Sequence, residues 1–243
     1  MTKKEFVNKY VSENYPNLHR ELIDLIYGFK PLDANGYDYV DMGEAGKWAT
    51  CNVGATAPEE SGLYFQWGDT QGYTKDQVMN GEKVFNIYDY KFFSSQRLTK
   101  YCNDEKSGFT DNLTTLKLAD DAAHANMGGD WRMPTKDEFA KLFDLCKHSW
   151  VYDYEGMGVD GIVLTLETDM SKTLFFPSTG YAYEGDGVIS DKDYTYVWSS
   201  SLDTSDPFNG HGLVYTSKDQ TSLFSPFDRS WGFSVRGILG VGK

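Results

Sequence analysis

Few residues in this chain have the type and spacing for chemistry. The cysteines are Cys51, Cys102 and Cys146. Their odd number and the lack of a CxxC pair argue against a disulfide framework or a zinc site, and leave one Cys51–Cys102 bridge open. The histidines His19, His124, His148 and His211 show no metal-ligand spacing. His211 lies near serines and aspartates, but no nucleophile motif surrounds it. Glu184-Gly185-Asp186-Gly187 with Ser190-Asp191-Lys192-Asp193 offers hard oxygens to Ca²⁺. Its spacing fails the EF-hand pattern, so it reads as a solvated acidic turn. The expectation is a protein with no catalytic residue, no metal site and no cofactor.

Binding chemistry is better represented. Between residues 202 and 230, Phe208, Tyr215, Phe224 and Phe227 supply apolar area where loops are expected. Asp203, Asp206, Asn209, His211, Ser222, Ser225, Asp228 and Ser230 supply polar contacts around them. Exposed aromatics beside Ser, Asn and Asp have the composition of an adaptable binding surface. The competing expectation is that Phe208, Phe224 and Phe227 tuck into the core. A standard interface buries about 1,600 Å² in total, so loops in residues 71–95 would have to contribute.

The elements that position these residues fall in two parts. Residues 1–34 read as a helical appendage. Phe6, Val7, Tyr10 and Val11, then Leu18, Leu22, Leu25, Ile26 and Phe29, recur at helical spacing, with Pro16 between the sets. These helices cap the main domain or mediate oligomerisation. Residues 35–243 read as one α+β domain. Helices are expected over residues 113–127 and 136–147, the second capped by Thr135 with Glu138. Short strands are expected over 37–42, 48–53, 63–67, 151–154, 161–168, 173–177, 194–200, 211–217 and 231–236. The 243 residues are enough for one sizeable core. A net charge of −13 disfavours nucleic-acid partners. Neither a secretory signal nor an apolar run of membrane-spanning length is seen. Cytoplasmic synthesis, with packaging into a virion as an option, is the expected location.

Three groups of motifs carry a resemblance. The first is Asn52-Val53-Gly54-Ala55 with Gly62-Leu63-Tyr64-Phe65-Gln66-Trp67-Gly68-Asp69-Thr70. The second is Gly129-Asp130-Trp131-Arg132-Met133-Pro134-Thr135 with Glu138. The third comprises Phe176-Pro177-Ser178-Thr179-Gly180-Tyr181, Val197-Trp198-Ser199-Ser200-Ser201 and Gly232-Phe233-Ser234-Val235-Arg236. In this order they resemble the Fibrobacter succinogenes major paralogous domain. The resemblance implies a C-type-lectin-like fold of the formylglycine-generating-enzyme type, with short strands and long loops around two central helices. The enzymes of that branch use a close cysteine pair near the C-terminus to bind copper, or a histidine set to bind iron. Here the last cysteine is Cys146 and the histidines lack the spacing.

The chain also resembles the variable proteins of diversity-generating retroelements, which place a diversified region before a fixed end. Ser199–Ser217 and Thr221–Ser230 contain no Lys, Glu, Gln, Met or Trp, the types that adenine-directed mutation of Asn codons does not reach. The implied function is non-enzymatic display of a variable surface, at about residues 202–230, for a protein or glycan partner. The alternative is a structural or adhesive module without a dedicated site, or an enzyme on the same scaffold.

Overall fold

The computed structural model describes residues 33, 35–183, 187–189, 193–217 and 222–240. The two expected N-terminal helices lie outside them, as does most of the acidic turn. Fourteen strands are present among the described residues. They are β1 (Tyr39–Asp41), β2 (Lys47–Asn52), β3 (Phe93–Ser94), β4 (Arg97–Leu98), β5 (Trp131–Arg132), β6 (Cys146–Val151) and β7 (Gly161–Leu166). There follow β8 (Thr173–Pro177), β9 (Tyr181–Tyr183), β10 (Gly187–Ile189), β11 (Tyr194–Leu202), β12 (Asn209–Thr216), β13 (Ser222–Asp228) and β14 (Arg236–Leu239). Three short α-helices accompany them: α1 (Lys75–Met79), α2 (Ala122–Met127) and α3 (Lys136–Asp144).

This corrects the expected fold class. The described residues form a mainly β protein of several antiparallel sheets, and not an α+β, C-type-lectin-like domain built around two central helices. The helix expected over 113–127 shows why. Its apolar stripe has helical spacing, but its first part is extended and bound to β11: the Leu116 N–H donates to the Ser200 carbonyl at 2.9 Å. The α-helix starts only at Ala122, where the Asp121 side chain accepts from the His124 N–H. A neighbouring strand outcompetes a marginal helix, because short helices depend on packing for stability.

The main sheet order is β1-β2-β14-β5, and two three-stranded sheets run β6-β7-β8 and β11-β12-β13. Helix α3 packs against β6, β11, β12 and β13. Its start is a capping box: the Thr135 hydroxyl accepts from the Glu138 N–H and the Glu138 carboxylate accepts from the Thr135 N–H. Arg132 donates to both carboxylate oxygens of the same Glu138. One core gathers Trp48, Phe139, Phe143, Trp150, Phe176, Leu213 and Tyr215. A second gathers Trp67, Tyr101, Trp131, Trp198 and Phe233.

A polar knot pins the second core. Asp120 is buried and accepts from Lys91 at 2.8 Å, from Lys100, and from the Tyr101 hydroxyl at 2.7 Å. Burial alone would raise its pKa, but the donations from Lys100, Lys91 and Tyr101 outweigh that and hold it below the usual carboxylate range. A depressed carboxylate stabilises the fold above its unfolded-state pKa, and that contribution is lost as pH falls through the folded-state value. Urea unfolding should therefore show wild-type stability falling below about pH 4, with a shallower fall in Asp120→Asn. Parallel pH profiles for the two proteins would remove Asp120 from the acid response.

Candidate functional site

The C-terminal candidates sit on the sheet β11-β12-β13. Strand β13 covers residues that sequence patterning assigns to loops. It pairs along its whole length with β12, from Tyr215–Ser222 to Asn209–Asp228. Pro226, which has no N–H to give, is tolerated because β13 is an edge strand. Phe224 and Phe227 are three residues apart and so point to opposite faces. No alternation marks the strand, because both faces of this sheet carry apolar neighbours.

On one face, Phe224 lies across from Leu213, which lies across from Val197. Its ring meets Phe139 and Phe143 of α3 at 6.2 and 6.0 Å. Tyr215 on the same face is 0% exposed. It stacks on Trp150 at 6.3 Å with a 2° interplanar angle, and its hydroxyl meets His148 Nδ1 at 3.0 Å. Tyr215 belongs to the core, and Phe224, half-buried, packs its ring against that core. On the opposite face, Gly210 and Gly212 of β12 let aromatic rings approach the backbone. A Cβ at Gly210 would come within 2.7 Å of the Trp67 ring.

The polar candidates largely staple their own loops. Asp203 is buried and accepts from the Ser205 N–H and hydroxyl at 2.9 and 2.7 Å. Asp206 is exposed and accepts from the Phe208 N–H and the Asn209 amide. Asp228 accepts from the N–H and hydroxyl of Ser230, which is itself buried. These are Asx-type turns, in which the carboxylate serves the local backbone. Ser225 and Asn209 are half-buried. Ser222 lies on β13, with its side chain outside the described residues.

His211 is half-buried, and burial, more than the Lys136 charge, lowers its pKa. The Ser199 hydroxyl donates to the His211 carbonyl and not to its ring. None of the three cysteines is in a disulfide, so the Cys51–Cys102 bridge left open by the sequence is not formed. Cys102 is buried and donates to the Asp104 carbonyl. Burial, with Glu167 adding to it, pushes the Cys146 thiol up to about 11, a poor nucleophile at neutral pH.

A different set of rings reaches the surface together. Tyr181 and Tyr183 on β9, Tyr194 and Tyr196 on β11, Phe227 on β13 and Trp231 beyond it are all half-buried. Tyr181 stacks on Trp231 at 5.3 Å and 17°, and on Tyr183 at 5.7 Å and 23°. Tyr181 also meets Tyr196 at 5.0 Å, Tyr194 stacks on Tyr196 at 5.9 Å, and Phe227 meets both Tyr196 and Trp231. Of these six rings only Phe227 is among the candidates that sequence patterning singles out; the four tyrosines and Trp231 are not. The Tyr-x-Tyr spacing of 181/183 and 194/196, which puts each pair on one face of a strand, was the available signal.

Phe208 belongs to a neighbouring loop cluster. Its ring meets Phe93 at 6.4 Å, and Phe93 meets Tyr88, which is 76% exposed. The Asn103 amide donates to the Thr204 carbonyl and ties the loops together. Part of residues 71–95 thus stands beside part of 202–230. Next to β3–β4, a groove of about 620 Å³ is lined by Arg97, Leu98, Thr99, Glu105, Gly108, Phe109 and Thr110.

Among the described residues, no group of three or more His, Cys, Asp or Glu side chains is placed to hold a metal ion. No described helix is long and apolar enough to cross a membrane. No family model, no curated protein and no solved structure matches this chain.

Proposed function

We propose that this chain is a non-enzymatic binding protein whose contact surface is the aromatic face of Tyr181, Tyr183, Tyr194, Tyr196, Phe227 and Trp231. The observation that carries this reading is six half-buried rings in unbroken ring-to-ring contact on one side of the molecule. Such rings are anchored by their neighbours, so little side-chain entropy is lost on contact, and Tyr and Trp dominate binding hot spots. The partner is a protein or a glycan on another surface.

The test screens the wild-type chain against an array of defined glycans and a random-peptide display library. Its hits are then repeated with the double variant Tyr194→Ser/Trp231→Ser. A loss of about thirtyfold or more in affinity is expected, the scale of one to two aromatic hot spots. Equal binding by the variant sinks the proposal.

A second reading keeps the C-terminal loops as the contact surface, through Phe208, Phe93 and exposed Tyr88. It predicts instead that Phe208→Ser abolishes the binding. A diversified surface, of the kind the retroelement resemblance implies, would have to be confined to Thr204, Ser205, Asp206, Phe208, Asn209, His211 and the outward side of β13. The rest of Ser199–Thr216 is buried. A near-identical template repeat beside the gene, differing at adenines within those codons, is the observation this version requires.

A further inference from the structure

Elsewhere in this molecule, aromatic rings are paired with cations of the same chain. Lys47 Nζ lies 5.3 Å from the centroid of Tyr39, Lys83 Nζ 5.5 Å from that of Tyr73, and Lys91 Nζ 4.9 Å from that of Phe92. In the interior, Arg236 Cζ lies 4.3 Å from the Phe176 centroid. The binding face is different. Among the described residues, no lysine or arginine is placed over Tyr181, Tyr194, Phe227 or Trp231.

Carboxylates border that face. Asp193 is exposed, directly precedes Tyr194, and accepts from the Ser217 hydroxyl at 3.0 Å. In sequence, the ten residues between Tyr183 and Tyr194 carry four carboxylates against one lysine. Asp228 follows Phe227, and its carbonyl accepts from the Trp231 N–H at 3.0 Å. Strand β10 packs on α1, where Asp76 is exposed, as is Glu82 just beyond it. Lys83, next in the chain, is held by Gln66 Oε1 at 3.4 Å. The whole chain carries a net charge of −13. The face of an aromatic ring is its negative side, so carboxylates beside such rings deepen a potential that draws cations and turns anions away.

The same neighbourhood offers aliphatic area. Met79 is 62% exposed and Val84 43% exposed. Phe85 ties their segment to the face: a Cβ at Gly232 would come within 2.7 Å of its ring. Methionine and aromatic side chains are the composition of protein interfaces, and a sugar ring gains little from Met or Val.

We infer that the occupant of the aromatic face is a basic polypeptide segment, with arginine or lysine side chains laid over the rings and paired with the bordering carboxylates. The inference rests on the reading of this face as the contact surface and narrows its partner. A neutral glycan would use the rings and gain nothing from the carboxylates. An acidic partner would be repelled by them.

The test is fluorescence anisotropy on the full chain with four labelled probes. They are an eight-residue peptide alternating arginine and glycine, the same peptide with citrulline for arginine, the same with glutamate for arginine, and maltohexaose. Citrulline keeps the planar group and removes the charge. The arginine peptide is expected to bind about tenfold or more tighter than the citrulline peptide. Its affinity should fall severalfold between about 20 mM and about 200 mM sodium chloride. Tyr194→Leu/Trp231→Leu keeps apolar cover and net charge but removes two rings, and should lose about tenfold for the arginine peptide. Equal binding by a folded variant means general attraction to an acidic molecule and overturns the inference. Equal binding of the citrulline peptide, or no response to salt, also overturns it, and both comparisons need only the wild-type chain. Tighter binding of maltohexaose or of the glutamate peptide, lost in the variant, overturns the inference while the face stands as a contact surface. If no probe binds, the inference falls, and the glycan array and peptide library decide the face separately.

Discussion

Replacing Arg236 with methionine lowers the unfolding free energy by about 3–5 kcal/mol. The guanidinium is 0% exposed and spans three segments. Nε donates to Asn52 Oδ1 at 2.9 Å, Nη1 to the carbonyls of Ala49 and Thr50 at 2.9 and 2.8 Å, and Nη2 to the Phe175 carbonyl at 3.0 Å. It also stands 4.3 Å from the Phe176 ring centroid. Burial pushes its pKa down to about 10, which leaves it charged at neutral pH. Methionine fills much of the volume but strands four acceptors in the interior, and each unmet acceptor costs about 1–3 kcal/mol. Relief from desolvating a charge offsets part of this, which keeps the net below the sum. Lysine rescues little, because one ammonium on a flexible stem does not reach three directions. Urea unfolding should show the midpoint of Arg236→Met falling by more than 1 M, for an m-value of about 3 kcal/mol/M. A fall under about 0.3 M would mean that the arginine does not tie β2, β8 and β14 together.

The second large effect falls on a residue whose sequence context points to the surface. Tyr215→Ser should destabilise the protein by about 3–5 kcal/mol, as large-to-small changes of buried aromatics do. Its ring is enclosed by Trp150, Phe143 and His148, and serine leaves a cavity beneath α3 and a His148 nitrogen without its hydroxyl partner. For a chain of this length the melting temperature should drop by roughly 10 °C. The outcome separates two views of the C-terminal region. A residue of a diversified binding surface tolerates serine with stability nearly unchanged, whereas a core residue does not. Thermal melts of Tyr215→Ser beside Trp231→Ser compare the buried ring with the surface one. Similar, small shifts in both would place Tyr215 outside the core.

Local signals were read well where they act locally. The Thr135–Glu138 capping box needs only four consecutive residues, and α3 begins where it says. Strand β8 spans Thr173–Pro177, the range its composition marks. The limits of the reading are equally physical. Leu113–Lys117 has helical spacing but pairs with β11, a partner far away in the chain. Ser222–Asp228 looks like turn material because it mixes Ser, Pro and Asp with two phenylalanines of opposite facing. Only β12 beside it makes it a strand.

The candidate site follows the same division. Residue order alone shows that the C-terminal third is rich in aromatics, serines and aspartates, that no cysteine lies beyond Cys146, and where α3 starts. These are matters of residue type and of contacts within one turn of chain. Tertiary structure decided which aromatics reach solvent and which aspartates are free to bind. Phe224 and Tyr215 went inward because α3 and Trp150 cover that face of the sheet. Tyr181 on β9, Tyr194 and Tyr196 on β11, and Trp231 after β13 come together only because elements distant in sequence stand side by side, and there they stay half-exposed. Burial is a property of what packs on a side chain from elsewhere in the chain, and no window of neighbouring residues contains it.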